Sequence, residues 1–389
     1  TNLNSSSMAV PGSSMNQRMT EVSTEGNATS GDMRWRFNSS ANHYFQPKGS
    51  YVMLRFELTK NAAQEPIEVG DGVILTADPG AAMWATCSHQ INGVQTGQSS
   101  NPAQDSILYK RLFMKRDVRG SLANALFSVE EAEFAGRYGT IMWVPPLGLY
   151  QSQNVVGGQC EHVLSATLHT DLVHRIIAST PLNLPKSSLN VKLLSARLFT
   201  SHTMPTSVIR PPKTLVISTV DFSTNSQTVN SNGSSTLTYT VPPSTRRIVI
   251  SSQLADLRAD DDRARGATFL GGATLDQLHV DYASMQQPAL PYSGEADDIR
   301  KFADLHGQSL LYGESTFDSI EDFKNAPISG HLFSKSPEDV STSATVRFTT
   351  DEASDSPSNV FCTAIHFNSI VLQHDASGVT TGVSYMTVN

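Results

Sequence analysis

The sequence predicts an all-β protein made of two tandem β-sandwiches, and three observations lead there. Hydrophobic residues make up 39% and charged residues 16% of the 389-residue chain, so Ser, Thr, Asn, Gln and Gly fill the difference. That balance suits sandwiches with long polar loops and not a helical bundle. Apolar and polar residues alternate in short runs, the period of a half-buried strand. The order of elements after residue 210 also repeats the order before it, and the length suits two domains of about 190 residues.

The N-terminal stretch 1–33 is polar, dotted with Met and nearly neutral, and is expected to be a flexible arm. Strands begin with "RWRF" at Arg34. In "YVMLRFEL", Val52, Leu54, Phe56 and Leu58 alternate with Tyr51, Met53, Arg55 and Glu57. "GVILTADP" and "HQINGVQT" follow, and Asn92-Gly93 marks a tight turn because both residues tolerate positive φ. The texture changes between Asp105 and Arg137. Asp105 is expected to cap a helix with Leu108, Leu112 and Phe113 on one face and Lys110, Arg111 and Lys115 largely off it. Gly120 should break that helix, and a second short one should run through Leu122, Leu126 and Phe127. "GTIMWVPPLGLYQSQNVVGGQCEHVLSATL", "LVHRIIAS" and "SLNVKLLSARLFTS" return to strands.

"RPPKT" at Arg210–Thr214 is an extended connector and the best boundary. It divides the chain into a first unit, 34–210, and a second, 211–389. Strand candidates then resume with "LVISTVDFS", "STLTYTVPPSTRRIVISSQL" and "TLDQLHVDY". A helix-compatible stretch covers 294–324, and "GHLFSK", "ATVRFTT", "NVFCTAIHFNSIVLQ" and "GVSYMTV" close the chain. Laid over each other, the halves place Phe37 on Phe222, an offset of about 185 (222 − 37). The helical insertions meet, as do "EHVLSATL" with "ATVRFTT" and "SLNVKLLSARLF" with "NVFCTAIHFNSIVL". Each half offers about eight strands, the number in a jelly roll of two Greek keys. The expected fold is therefore two eight-stranded jelly rolls with short helical insertions.

The formal charge of −8 is poorly suited to wrapping nucleic acid through its phosphates. Cys87, Cys160 and Cys362 are odd in number and far apart, so no disulfide framework is expected and a reducing compartment is the simpler reading. The sequons at Asn4, Asn27, Asn38 and Asn232 are expected from the abundance of Asn, Ser and Thr. No apolar run approaches the roughly 18 residues of a membrane-spanning helix.

Several clusters could carry chemistry, and each has a plainer reading. Cys160 and His162 share a strand face, but Glu161 points away and no protease signature surrounds them. Cys362 and His366 lack two further ligands for a metal. His169 and His174, with Asp171 between them, align on neither a helix nor a strand. "RADDDRAR" at Arg258–Arg265 could hold calcium but reads as a solvated ion-paired loop. Lys110, Arg111, Lys115, Arg116 and Arg119 form the strongest basic set, expected as a solvated or subunit-contact face. No catalytic residue, metal ligand or cofactor is assigned.

Three stretches then resemble a known family. They are "INGVQTGQSSNPAQDSILYKRL", "MWVPPLGLYQSQNVVGGQCEHVL" and "LDQLHVDYASMQQPALPYSGEADDIRKF". They are similar to passages of the double jelly-roll major capsid proteins of tailless icosahedral DNA viruses, the lineage of adenoviruses, membrane-containing phages, virophages and polinton-like viruses. The resemblance covers nearly all of the chain beyond residue 33. It implies a structural, non-enzymatic protein of the virion that forms homotrimers, each a pseudo-hexameric tile. The tiles would meet one another, penton and minor or cement proteins, and an internal membrane or genome indirectly. The length suits the compact phage and archaeal-virus members. Two alternatives are a single jelly-roll capsid protein with a projecting domain, whose usual basic arm is missing, and a secreted glycan-binding lectin or adhesin. The lectin would call for paired cysteines and grouped aromatic faces, whereas Trp35, Trp84 and Trp143 are scattered along the chain.

Overall fold

In the computed structural model the alternating run at Tyr51 becomes the middle of a 17-residue strand, with Val52, Leu54, Phe56 and Leu58 all fully buried. The structure describes residues 15–25, 31–40, 42–60, 64–113, 131–152, 154–205, 211–230, 233–258, 265–311, 323–324, 328–333, 342–350 and 357–387. The first half contains β1 (Met15–Val22), β2 (Asp32–Ser39), β3 (Tyr44–Lys60), β4 (Glu65–Pro66), β5 (Ile74–Leu75), α1 (Pro79–Ala82), β6 (Trp84–Ile91), β7 (Val94–Ser99) and α2 (Pro102–Phe113). It continues with β8 (Ala132–Glu133), β9 (Tyr138–Trp143), α3 (Gly148–Gln151), β10 (Cys160–Leu168), α4 (Leu172–Ile176), β11 (Ile177–Ser179) and β12 (Leu189–Pro205). The second half contains β13 (Thr214–Val229), β14 (Gly233–Thr240), β15 (Thr245–Leu254), β16 (Leu275–Tyr282), β17 (Met285–Tyr292), α5 (Asp298–Leu311), β18 (Ser329–Leu332), β19 (Ser343–Thr350), β20 (Ser358–His374) and β21 (Thr380–Thr387).

Each half pairs its strands along the same path. In the first, one sheet runs β1-β12-β3, with β4 and β9 both on β3, and the other runs β2-β10-β6-β7. In the second, one sheet runs β13-β20-β15-β18 and the other β14-β19-β16-β17. The long central strand β20 carries β13 along its whole length, while β15 and β21 share its other side.

Burial follows the pleat. In β2 Met33, Trp35, Phe37 and Ser39 point inward and their neighbours outward. The three tryptophans, scattered in sequence, meet in one place. Trp84 stacks on Trp143 with ring centroids 4.9 Å apart, and Trp35 meets Trp84 edge-on at 6.1 Å. Trp35 Nε1 donates to Ala196 O across the sandwich at 3.3 Å. A second core joins Tyr239, Ile248, Val280, Tyr282, Val346, Phe348 and Cys362. A third lies where the halves touch, joining Leu108 and Leu112 of α2 to Phe222, Val249, Leu305 and Ile365.

Two expectations change. Segment 1–33 is not wholly a free arm: Met15–Val22 runs antiparallel to β12, from Met15 opposite Pro205 to Val22 opposite Leu198. That strand is polar and supplies a sheet edge through its backbone, so hydropathy did not reveal it. The superposition of Phe37 on Phe222 is one strand out, because Phe37 lies on β2 and Phe222 on β13, in sheets of different type. The later matches at "EHVLSATL" and "SLNVKLLSARLF" do join strands at the same place in the path. "MQQPALPY", within the third stretch quoted for the resemblance, is the edge strand β17, where Pro288 and Pro291 cost little pairing. The helix expected at Leu122–Phe127 falls outside the described residues.

Because Trp143 is fully buried and stacked, Trp143→Ala should cost about 3–5 kcal/mol of stability. Urea unfolding of the full chain followed by tryptophan fluorescence measures it.

Candidate assembly site at the seam between the halves

Strand β13 enters the second half directly over the Pro-Pro-Leu-Gly passage of the first. There Asp221 accepts four hydrogen bonds: from Gly148 N (3.0 Å), Thr219 Oγ1 (2.7 Å), Asn368 Nδ2 (3.0 Å) and Tyr385 OH (2.9 Å). Gly148 has to be glycine for that approach. A Cβ there would stand 2.6 Å from Asp221 Oδ1 and 2.8 Å from Val220 O.

A second carboxylate sits beside it. Asp105, fully buried, accepts from Ser99 Oγ at 2.5 Å and from Thr224 Oγ1 of the second half, which also bonds Thr363 Oγ1 at 2.7 Å. Burial drives its carboxyl up to about 7, the two hydroxyl bonds acting against that rise. Asp105 was expected to cap α2, but the helix starts at Pro102 and Asp105 is its fourth residue.

Asp78 is the third. It caps α1, accepts from Ser106 Oγ, and pairs with Lys110 Nζ at 2.6 Å with both side chains buried. Burial lowers the Lys110 ammonium and Asp78 opposes that shift. Lys110 and Arg111 are thus buried, against the expected solvated face, because α2 packs against elements of both halves and has little free surface. Lys115, Arg116 and Arg119 lie outside the described residues.

Loop backbone closes the rest of the seam. Ala267 N donates to Arg175 O (2.9 Å), Gln104 Nε2 to Ala267 O (3.1 Å), and Thr76 Oγ1 meets Thr268 Oγ1 at 2.6 Å. Gln159 exchanges backbone bonds with Gly378 O and Thr380 N at 3.0 and 3.1 Å. His374 points its ring nitrogens at Pro212 O and Gly157 O, 2.9 and 3.1 Å away. Gly158 beside it has φ +93°, and a Cβ there would lie 2.6 Å from the His374 ring.

The sequence candidates fall into place around this seam. Cys160 Sγ and His162 Nε2 do meet, at 3.3 Å, with Ser39 Oγ 3.0 Å from the sulfur. Burial raises the thiol and lowers the imidazole, the reverse of what a thiolate–imidazolium nucleophile needs. Glu161 faces out and pairs with Arg36 at 3.0 Å. Cys362 is buried in the second core, its thiol pushed up to about 12, while His366 on the same strand lies opposite Asp221. His169 accepts from Arg175 at 2.8 Å, whereas His174 bonds Asp171 at 2.7 Å, so the two rings have separate partners. Arg258 reaches Asp171 at 2.9 Å, and 259–264 of the acidic loop lie outside the described residues. Among the described residues, no group of three His, Cys, Asp or Glu is placed to hold a metal ion.

No protein-family model matches the chain, and no curated protein gives a significant match. Solved structures do. A chain in the cryo-EM structure of the Sputnik virophage matches with a TM-score of 0.67 at 11% identity, over 100% of this chain and 92% of that one. The mavirus major capsid protein matches with 0.55 at 12% identity, over 98% and 92%. The faustovirus major capsid protein matches with 0.59 at 8% identity, over 97% and 91%. The chain shares the fold of viral major capsid proteins. The likeness covers nearly the whole of this chain, both halves included, at very low identity.

Asp105 gives the seam a signed pH dependence. Its folded value is raised, so its contribution is fully present below the ordinary carboxylate range and is lost as pH rises towards about 7. Asp105→Asn should therefore gain on the natural chain by on the order of 2 kcal/mol between pH 5.5 and 7. Denaturant unfolding of both proteins at each pH reads the difference.

Proposed function

We propose that the chain is a structural major capsid protein whose two eight-stranded jelly rolls stand side by side, and that three copies form a pseudo-hexameric tile of an icosahedral shell. The observation that carries this reading is the doubled pairing path. Counting eight principal strands per half, the first, eighth, third and sixth form one sheet and the second, seventh, fourth and fifth the other, in both halves. That is the wrapping of a jelly roll. The first roll begins at β1 and so extends the boundary from residue 34 back to Met15; the second follows the connector that ends at Thr214.

The shared fold with the mavirus and faustovirus major capsid proteins supports the same role. Such proteins are components of the virion, assembled inside the host cell. The seam suits a tile: two sandwiches locked by buried carboxylates transmit load as one body. The chain's partners in this reading are its own copies, then neighbouring trimers and the penton and minor proteins at vertices and joints. Its work is assembly, with no reaction to catalyse. The alternative of one roll with an unrelated projecting domain finds no support in a second half that repeats the path of the first. The lectin alternative loses its aromatic argument too, because all three tryptophans are in the core.

Size-exclusion chromatography with light scattering tests this. A stable trimer of 3 × 42.1 kDa, about 126 kDa, is expected. A 42.1 kDa monomer at all concentrations that binds glycans would overturn it.

A further inference from the structure

Between the two sheets of the first half lies a group of side chains that neither the seam nor a tile requires. His89 on β6, His162 on β10 and His202 on β12 are 0%, 0% and 6% exposed. The rings of His89 and His162 stand 5.4 Å apart. Phe45 packs on all three, at 6.5, 4.9 and 6.1 Å. Phe37 stacks on His162 at 4.9 Å and meets His202 edge-on at 6.4 Å.

Each ring uses one nitrogen. His89 Nδ1 bonds Thr96 Oγ1 at 2.9 Å, His162 Nε2 lies 3.3 Å from both Cys160 Sγ and Ser39 Oγ, and His202 Nε2 bonds Thr200 Oγ1 at 3.0 Å. The other nitrogens, His89 Nε2, His162 Nδ1 and His202 Nδ1, are buried with no hydrogen-bond partner. The His43 backbone approaches His202 too loosely to count as a bond. A neutral imidazole tolerates one unused acceptor, whereas an imidazolium would present an unpaired N–H to a dry wall.

Apart from the His43 backbone beside His202, nothing nearby compensates a charge on these rings. The charged and titratable groups that act on them are one another, His43 and Arg18, which is opposite His202 in the β1–β12 register. All of these are cationic or become so in acid. The remaining neighbours are the thiol of Cys160, the hydroxyls of Ser39, Thr96 and Thr200, and Tyr150, which meets His89 edge-on at 5.7 Å. Burial lowers all three imidazoles, His89 to about 3. The second half differs. Burial lowers His366 there as well, but Asp221 opposite it works against that shift, and burial takes His331 down to about 3.

We propose that the His89–His162–His202 cluster is an acid-triggered release built into the first sandwich, which opens in mild acid before the second does. It stands whether or not the chain builds a shell. The sign follows from proton uptake. A histidine neutral in the folded chain contributes stability that is present above the unfolded value of about 6.5 and is lost as pH falls below it. From pH 7.5 to 5.5 a ring that stays neutral throughout multiplies the opening equilibrium by about tenfold, so His89 and His162 together give about a hundredfold, to which His202 adds, against about tenfold from His331.

Hydrogen–deuterium exchange of the full chain at pH 7.5 and 5.5, corrected for intrinsic rates, tests this. Peptides from β6, β10 and β12 should show the opening equilibrium rising by at least about a hundredfold, and those from β16 and β19 by about tenfold. In His162→Phe, which keeps an aromatic ring against Phe37, the first-half rise should be about tenfold smaller than in the natural chain. An equal rise in both halves of the natural chain would overturn the proposal, with no need of the variant. So would a rise in His162→Phe as large as in the natural chain.

Discussion

A carboxylate removed from water must be fully hydrogen-bonded or paired, and the joining of the two halves depends on meeting that demand at Asp221 and Asp105. Asp221 reaches its four donors only when β13 lies against α3 and β20 carries Asn368 beside it. Asp105 needs Thr224 from the other half. A small rotation of one sandwich against the other would strand these groups. The apolar contact around Leu108, Phe222 and Ile365 supplies much of the burial, but it is the polar set that selects one orientation. A shell tile needs that rigidity, because errors in angle accumulate across a lattice.

The two interiors are treated differently. At the seam, Asp221 is matched with four donors and Asp78 with Lys110. In the first sandwich, three imidazoles sit among aromatic rings with a nitrogen each to spare. One arrangement resists change in pH through pairing, apart from the carboxyl of Asp105, and the other is exposed to it. Stability and a capacity for release thus occupy separate regions of the same chain.

The sandwich class was legible from period-two runs such as the one ending at Leu58, and the Asn92-Gly93 turn lies where its residues indicate, both with positive φ. The repeat was legible from the late strands, whose apolar content is high. It failed at the start because β1 is polar and contributes backbone pairing alone. The resemblance quoted at "PPLG" and "VVGGQC" fell on the segments that dock the second half, through Gly148 and Gly158. What the sequence could not show was convergence. Lys110 looked like a surface cation because a single amphipathic face was assumed, whereas α2 is covered on two sides. The tryptophans looked dispersed because proximity across a sandwich leaves no trace in spacing. Cys160 and His162 were correctly placed on one face, and only the structure shows that burial raises the thiol and lowers the imidazole. At 8–12% identity to these chains, what the likeness shows is the shared fold.

The central claim is that two equivalent sandwiches, locked at the seam, act as one unit of a shell. A cryo-EM reconstruction of particles assembled by this chain tests it most directly. The expected map shows capsomers of three chains with six upright sandwiches, and the Asp221 contact to Gly148 intact in every copy. A map in which one sandwich per chain stands in the shell while the other projects away from it, with that contact broken, would contradict it.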